Sequence, residues 1–275
     1  MTETVTANVH FHRFDDGREL AWREFGQGAP LVMLHGWSMS GAVFSEVASA
    51  LAADFHVLCP DLRGHGWSDH GAHYSLDLLA DDIATWLGAI GLSRVALLGW
   101  SLGGQVAMAM AGRPDLEVSR LLLISTTPRF CAGDDWSHGL PHAQLLVMRR
   151  QLQSKYQQTL GDFFDLQFAG EDLPAERRHE LLGFAVRRSR LPLAEDCLAT
   201  LEILAAGDYR SLLSALHGPV LIMHGRQDRI VPWPAGRMLA ETLPDSQWQL
   251  LEDVGHAPFM SRPALCVQLW RDFLK

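Results

Sequence analysis

The pentapeptide Gly99-Trp100-Ser101-Leu102-Gly103 constrains this chain more than any other stretch of it. It follows Val95-Ala96-Leu97-Leu98, an apolar run of the kind that forms a buried parallel strand. It precedes Gln105-Val106-Ala107-Met108-Ala109-Met110-Ala111, which reads as a helix. A serine caught between strand and helix takes a strained backbone conformation that lifts its hydroxyl above the sheet. Glycines at 99 and 103 remove side chains that would collide where the two elements pass. The pattern predicts a tight elbow that presents Ser101 as a nucleophile.

The rest of the chain supplies a sheet for that elbow. Residues 9–14 and 19–25 alternate around Asp15-Asp16-Gly17-Arg18, a hairpin signal. Short apolar strands are predicted at 31–34, 55–59, 95–98 and 121–124, with helices over 41–52 and 75–90 between them. After Pro219 the alternation resumes: strand 220–223, helix 234–242, strand 247–251 and helix 263–274. Strands alternating with helices predict an α/β fold, a mostly parallel central sheet flanked by helices. Residues 127–214 carry helical patterns and no strand. An insertion there lies over the carboxyl edge of the sheet, where open α/β folds place their ligand crevice. The expected organisation is a core of 1–126 and 215–275 with a helical lid at 127–214. A separate helical domain with its own partner is the alternative reading.

Composition narrows the function. At 275 residues and 48% hydrophobic, the chain has ordinary globular character for one α/β domain, and its apolar runs are too short to span a bilayer. The start, Met1-Thr2-Glu3-Thr4-Val5-Thr6, lacks the basic and apolar stretches of a signal peptide, which points to the cytoplasm. Cys59, Cys131, Cys197 and Cys266 form no C-x-x-C pair and read as free thiols of a reducing compartment. A net charge of −9 opposes nonspecific nucleic-acid binding. No phosphate-cradling glycine motif is present, so no nucleotide cofactor is expected. His138 and His142 stand four apart near Cys131, but further ligands at metal spacing are missing, and no metal is expected.

A serine hydroxyl is a weak nucleophile near neutral pH and needs a general base, itself oriented by an acid. In a sheet of this kind the chain order is serine, acid, histidine, each at a strand end. Asp228 follows the strand 220–223 and His256 follows the strand 247–251. The other acid position, after 121–124, offers only Ser125-Thr126-Thr127. His35, His65 and His224 read as turn or strand residues, and Asp253 lies too near His256 in sequence to reach its ring well. Two backbone amides should bind the developing oxyanion, those of Leu102 at the start of the elbow helix and of Trp37 after strand 31–34. The run 61–68 reads as a turn bracing these loops.

With these residues in place the chain resembles the α/β-hydrolases. More narrowly, it resembles the carboxylesterases that release pimeloyl-acyl-carrier protein from its methyl ester in biotin synthesis. The likeness is carried by His35-Gly36-Trp37, by Gly99-Trp100-Ser101-Leu102-Gly103-Gly104, by Asp135-Trp136 and by Leu201-Glu202-Ile203-Leu204. It continues through His224-Gly225-Arg226-Gln227-Asp228 and Gly255-His256-Ala257-Pro258-Phe259. It implies an α/β-hydrolase fold, an acyl-enzyme on Ser101, methanol as leaving group, and a small-molecule acyl ester or an acyl-carrier protein as partner. The charge, the apolar runs and the missing nucleotide motifs add the expectation of no cofactor, nucleic acid or membrane. The chain departs from that family in a longer N-terminal hairpin, and in Gln158 and Asp162 near lid positions where arginines are expected.

Residues 142–190 carry a net +2 against −11 for the remainder, a basic lid on an acidic body suited to an acidic carrier or a substrate carboxylate. Trp37, Phe163, Phe164 and Phe168, with Leu145, Met148 and Leu152, would line an acyl site. A lactonase, thioesterase or C–C bond hydrolase would use the same three side chains, and a noncatalytic receptor would keep the pocket. If His256 is the base, kcat/KM falls on acidification as histidine takes up a proton. A flat profile between about pH 5 and 8 excludes it.

Overall fold

The computed structural model describes residues 9–183 and 190–275. The expected N-terminal start and two of the counted lid cations, Arg187 and Arg188, lie outside them. An eight-stranded sheet runs in the order β1-β2-β4-β3-β5-β6-β7-β8. β1 (Val9–Arg13) and β2 (Glu19–Phe25) form the predicted hairpin, and β2 pairs antiparallel with β4 (Phe55–Pro60). From β4 onward the pairing is parallel: β3 (Ala29–Leu34), β5 (Arg94–Trp100), β6 (Glu117–Ile124), β7 (Val220–Gly225) and β8 (Ser246–Leu251).

Strand alternation divides the core. Leu31, Met33, Leu98 and Ile124 pack on one face with α1 (Ser45–Leu51) and α10 (Pro263–Leu274). Val32, Leu34, Leu97 and Leu123 pack on the other with α2 (Leu76–Ala89) and α3 (Leu102–Ala111). Successive side chains point to opposite faces, so strands buried on both sides are apolar throughout. α2 starts where Ser75 accepts the Leu78 amide at 3.1 Å, and Gly91 follows it with φ 77°.

Between β6 and β7 lie α4 (His142–Ser154), α5 (Tyr156–Leu166), α6 (Ala175–Leu182) and α7 (Ala194–Ala206), with only isolated bridges such as Arg129 to Asp208 among the described residues. Asp135 joins the two ends of this segment, accepting from Arg129 at 2.7 Å and Arg210 at 2.6 Å. α8 (Trp233–Thr242) and a short α9 (Pro258–Ser261) complete the chain. Two details differ from the sequence expectation. The helix expected over 41–52 opens as a 3-10 turn at Gly41–Phe44, where the Ser40 hydroxyl accepts the Ala42 amide at 3.3 Å and a Cβ at Gly41 would meet the Cys59 carbonyl oxygen at 2.4 Å. β6 begins earlier, at Glu117, where it completes its pairing with β5. Among the described residues no helix is long and apolar enough to cross a membrane.

β4 lies on one side of β3 and β5 on the other, so the sheet reverses winding between β3 and β5. The carboxyl ends of those strands form the switch-point crevice of an open α/β sheet. α3 approaches that point so closely that a Cβ at Gly103 would sit 2.2 Å from the Leu34 carbonyl oxygen. Gly103→Ala should therefore cost about 1–3 kcal/mol, read as a lower urea midpoint. An unchanged midpoint would show that helix and strand can separate without loss.

Candidate active site

Ser101 follows β5 directly and stands at the N-cap of α3 with φ 56° and ψ −119°. Non-glycine residues avoid this region, so the surroundings must hold it. The Ser101 amide donates to the Ile124 carbonyl at 3.0 Å. The Ser101 carbonyl accepts from the Thr126 hydroxyl at 2.7 Å and from the Gly104 amide at 2.9 Å. Gly36 closes the front: a Cβ there would lie 3.2 Å from that of Ser101. Thr126, which offered no carboxylate in the sequence, thus braces the elbow.

Asp228 and His256 come together from separate loops after β7 and β8. Asp228 Oδ2 lies 2.7 Å from His256 Nδ1, while its Oδ1 accepts the amides of Ile230 and Val231, each at 2.8 Å. Burial opposes a charge on Asp228. The His256 charge and hydrogen bonds from His224 and His256 outweigh it and hold the carboxyl far below the usual carboxylate range. The His256 loop is tied to the elbow strand, since the Trp100 indole donates to the His256 carbonyl at 2.8 Å and the two rings are 5.5 Å apart. Asp253, the competing acid, is exposed and takes a left-handed φ of 52°.

Leu102 opens α3, where the first amides of a helix lack intrahelical partners and carry the positive end of its dipole. Trp37 sits after β3. Its indole donates to the Cys197 carbonyl of α7 at 3.0 Å, and its ring meets Phe163 of α5 edge-on at 4.8 Å. Behind it, His35 accepts the Leu62 amide through Nε2 at 2.9 Å and donates from Nδ1 to the Gly36 carbonyl at 2.8 Å. Burial pushes His35 well below the usual histidine range, so it stays neutral. The 61–68 turn is a brace of the expected kind. Buried Asp61 accepts from Arg23 at 2.8 Å, from the Gly41 amide at 2.7 Å and from the Trp67 amide at 2.9 Å.

Ser101 opens on a cavity of about 370 Å³. Trp37, Phe130, Leu145, Met148 and Phe163 give it apolar walls, and Asp162 and Arg229 are the charged side chains in its lining. Phe164 and Phe168, expected as acyl-binding residues, correct that expectation. They turn away from the cavity, pack on each other at 5.5 Å, and are buried in the core cluster beside α10. A helix turns about 100° per residue, so Phe163 faces the cavity while its neighbour Phe164 faces the core. Leu152 is likewise buried outside the lining, and Gln158 is exposed. The four cysteines are free and buried. Among the described residues no cluster of three potential ligands is placed to hold a metal.

Two site residues escaped the sequence reading. His224 lies in β7 with Nε2 donating to the Val231 carbonyl at 2.9 Å and 3.2 Å from Asp228 Oδ2, so one carboxylate faces two imidazoles. Its position four residues before Asp228 was the available signal. Arg229 gave none, because an arginine after a loop aspartate has no pattern that points into a cavity.

The profile of the alpha/beta hydrolase fold family matches residues 29–263. This chain belongs to the alpha/beta hydrolase family. It is 37% identical over 238 residues to the pimeloyl-[acyl-carrier protein] methyl ester esterase of Nitrosomonas europaea, covering 86% of this chain and 92% of that protein. The Vibrio parahaemolyticus protein of the same name is 37% identical over 256 residues, 92% of this chain and 97% of its own length. Among solved structures, an esterase (EaEST) from Exiguobacterium antarcticum superposes with a TM-score of 0.89 at 23% identity, covering 97% of this chain and 99% of that one. The enol-lactonase of Burkholderia xenovorans superposes at 0.82 with 20% identity over 96% and 99%. These last two share the fold, which by itself does not choose between ester and lactone.

The depressed Asp228 carboxyl has a consequence for stability. Its folded value lies below that of the unfolded chain, so its stabilisation is complete above the unfolded value of about 4 and is lost as pH falls toward the folded one. Asp228→Asn should flatten the decline of the urea midpoint below about pH 4. An acid limb as steep as that of the unsubstituted protein would assign the effect to other carboxylates.

Proposed function

We propose that this protein is a serine carboxylesterase that hydrolyses the methyl ester of a pimeloyl-type acyl chain carried on acyl-carrier protein, a cytoplasmic step of biotin synthesis. One observation carries the reading: Ser101 opens on an apolar cavity while His256, paired with Asp228, stands on a loop tied to the Ser101 strand. The esterase-named relatives, at 37% identity over most of the chain, supply the substrate class.

In this reading Ser101 Oγ attacks the ester carbonyl as His256 Nε2 takes its proton. Asp228 holds the imidazole with its proton on Nδ1 and stabilises the imidazolium that forms. The tetrahedral oxyanion receives hydrogen bonds from the Leu102 and Trp37 amides. The intermediate collapses, His256 returns the proton to the departing methoxide, and methanol leaves an acyl-enzyme. Water, deprotonated by His256, attacks the acyl carbonyl and frees the carboxylic acid and Ser101. Residues 127–214 serve as the lid. Trp37, Phe163, Leu145 and Met148 receive the acyl chain, and burying apolar chain there favours binding by about 25 cal/mol per Å². The carrier end of the substrate stays outside, toward the mouth where exposed Val147 and Leu166 lie.

Ser101→Ala should lower kcat by at least about 10⁴-fold. Fluorophosphonate should label the unsubstituted protein at Ser101. Offered pimeloyl-carrier methyl ester beside p-nitrophenyl esters, lactones, thioesters and vinylogous diketones, the protein should prefer the carrier ester in kcat/KM by orders of magnitude. Equal rates on all simple esters would leave a general esterase, and turnover confined to a lactone or diketone would replace the reading.

A further inference from the structure

The His256 loop is held from a direction that the triad does not use. The Gln167 carbonyl, one residue beyond α5, accepts the His256 amide at 2.8 Å. Glu171, four residues further on, accepts the Gly255 amide through Oε1 at 2.7 Å. Gly255 has no space for anything larger, since a Cβ would meet the Gln167 carbonyl oxygen at 2.5 Å and Glu171 Oε1 at 2.9 Å. On its other side, a Cβ on Gly225 would meet the Gly255 carbonyl oxygen at 2.0 Å, and the Gln227 amide donates to Val254 at 2.9 Å. The backbone just before His256 is therefore gripped between the Asp228 loop and the end of α5.

Glu171 is an expensive way to make that grip. Its side chain is fully buried, and burial pushes its carboxyl up from the usual glutamate range. The nearest guanidinium nitrogen, on Arg262, is 3.8 Å from Oε2, beyond a hydrogen bond. Against that burial stand the Ser261 hydroxyl, the Gly255 amide and the more distant Arg262 charge, and a buried carboxylate so held returns little stability. What it does accomplish is geometric: it fixes the peptide plane leading into His256.

We propose that Glu171 is a positioning residue for His256, clamping the Gly255–His256 backbone to the end of α5 so that the imidazole stays aligned between Asp228 and Ser101. The proposal rests on the reading of His256 as the general base. α5 carries Phe163 into the cavity, and the segment that follows it directly, Gln167 to Glu171, holds the His256 loop. Glu171 touches no substrate, and its effect falls on kcat alone.

The test compares Glu171→Ala, Glu171→Asp and Glu171→Gln, with rates expressed per Ser101 labelled at completion by a fluorophosphonate. Alanine removes the acceptor and aspartate is one methylene too short to reach, so both should lower kcat by up to about 100-fold with KM nearly unchanged. The loss should be equal for p-nitrophenyl acetate and for a long-chain ester. Glutamine keeps an acceptor oxygen at the same reach and should restore kcat to within a few-fold. Wild-type kcat in the alanine and aspartate variants overturns the proposal. So does a glutamine variant as slow as aspartate, or a loss that appears in KM or only with long chains. If the alanine variant does not fold, the aspartate and glutamine pair decides. Failure of the unsubstituted protein to label at Ser101 would instead remove the esterase reading itself, whatever the Glu171 variants do.

Discussion

The left-handed backbone at Ser101 is the constraint on which the rest of the site depends. A conformation that costs of order 1–3 kcal/mol persists only where its neighbours leave no alternative. Here β6 supplies the Ile124 carbonyl, the next loop supplies the Thr126 hydroxyl, and α3 presses against β3 with glycine at the contact. Each brace comes from a different element. The elbow is consequently a property of the assembled sheet, formed when β3, β5 and β6 are in register.

Charge is distributed around that elbow with little redundancy. Four imidazoles, His35, His65, His224 and His256, are buried near the carboxyl end of the sheet. Burial pushes His35 and His65 down; His35 braces two loops by accepting the Leu62 amide, while His65 donates to the Arg63 carbonyl within its own turn. His224 and His256 share Asp228, whose second oxygen is fixed by two amides. One buried carboxylate thereby orders two rings, and the amides of Ile230 and Val231 keep it from rotating.

Much of this was legible in the sequence for definite reasons. Apolar runs of four or five residues located the parallel strands, and Ser75 with Gly91 bounded α2. Ser101, Asp228 and His256 were visible because each follows a strand, and a parallel sheet brings strand ends to one edge. The acyl-site residues were less legible. Phe163, Phe164 and Phe168 are equally apolar, and nothing in their order says which faces a cavity and which the core. Arg229 and Glu171 were invisible for a related reason: their roles depend on contacts across the fold, and Glu171 reads from sequence as one more solvated lid acid.

By itself the sequence determined the α/β class, the elbow, and the candidate nucleophile, acid and base, because strand and helix periodicity and glycine requirements are local and survive without knowledge of distant neighbours. Only the tertiary structure decided which face of α5 meets the cavity, that His224 shares the carboxylate of Asp228, and that Glu171 grips the peptide before His256. The first is set by helix rotation, the second by how the loop after β7 folds back on its own strand, and the third by an approach between segments 84 residues apart.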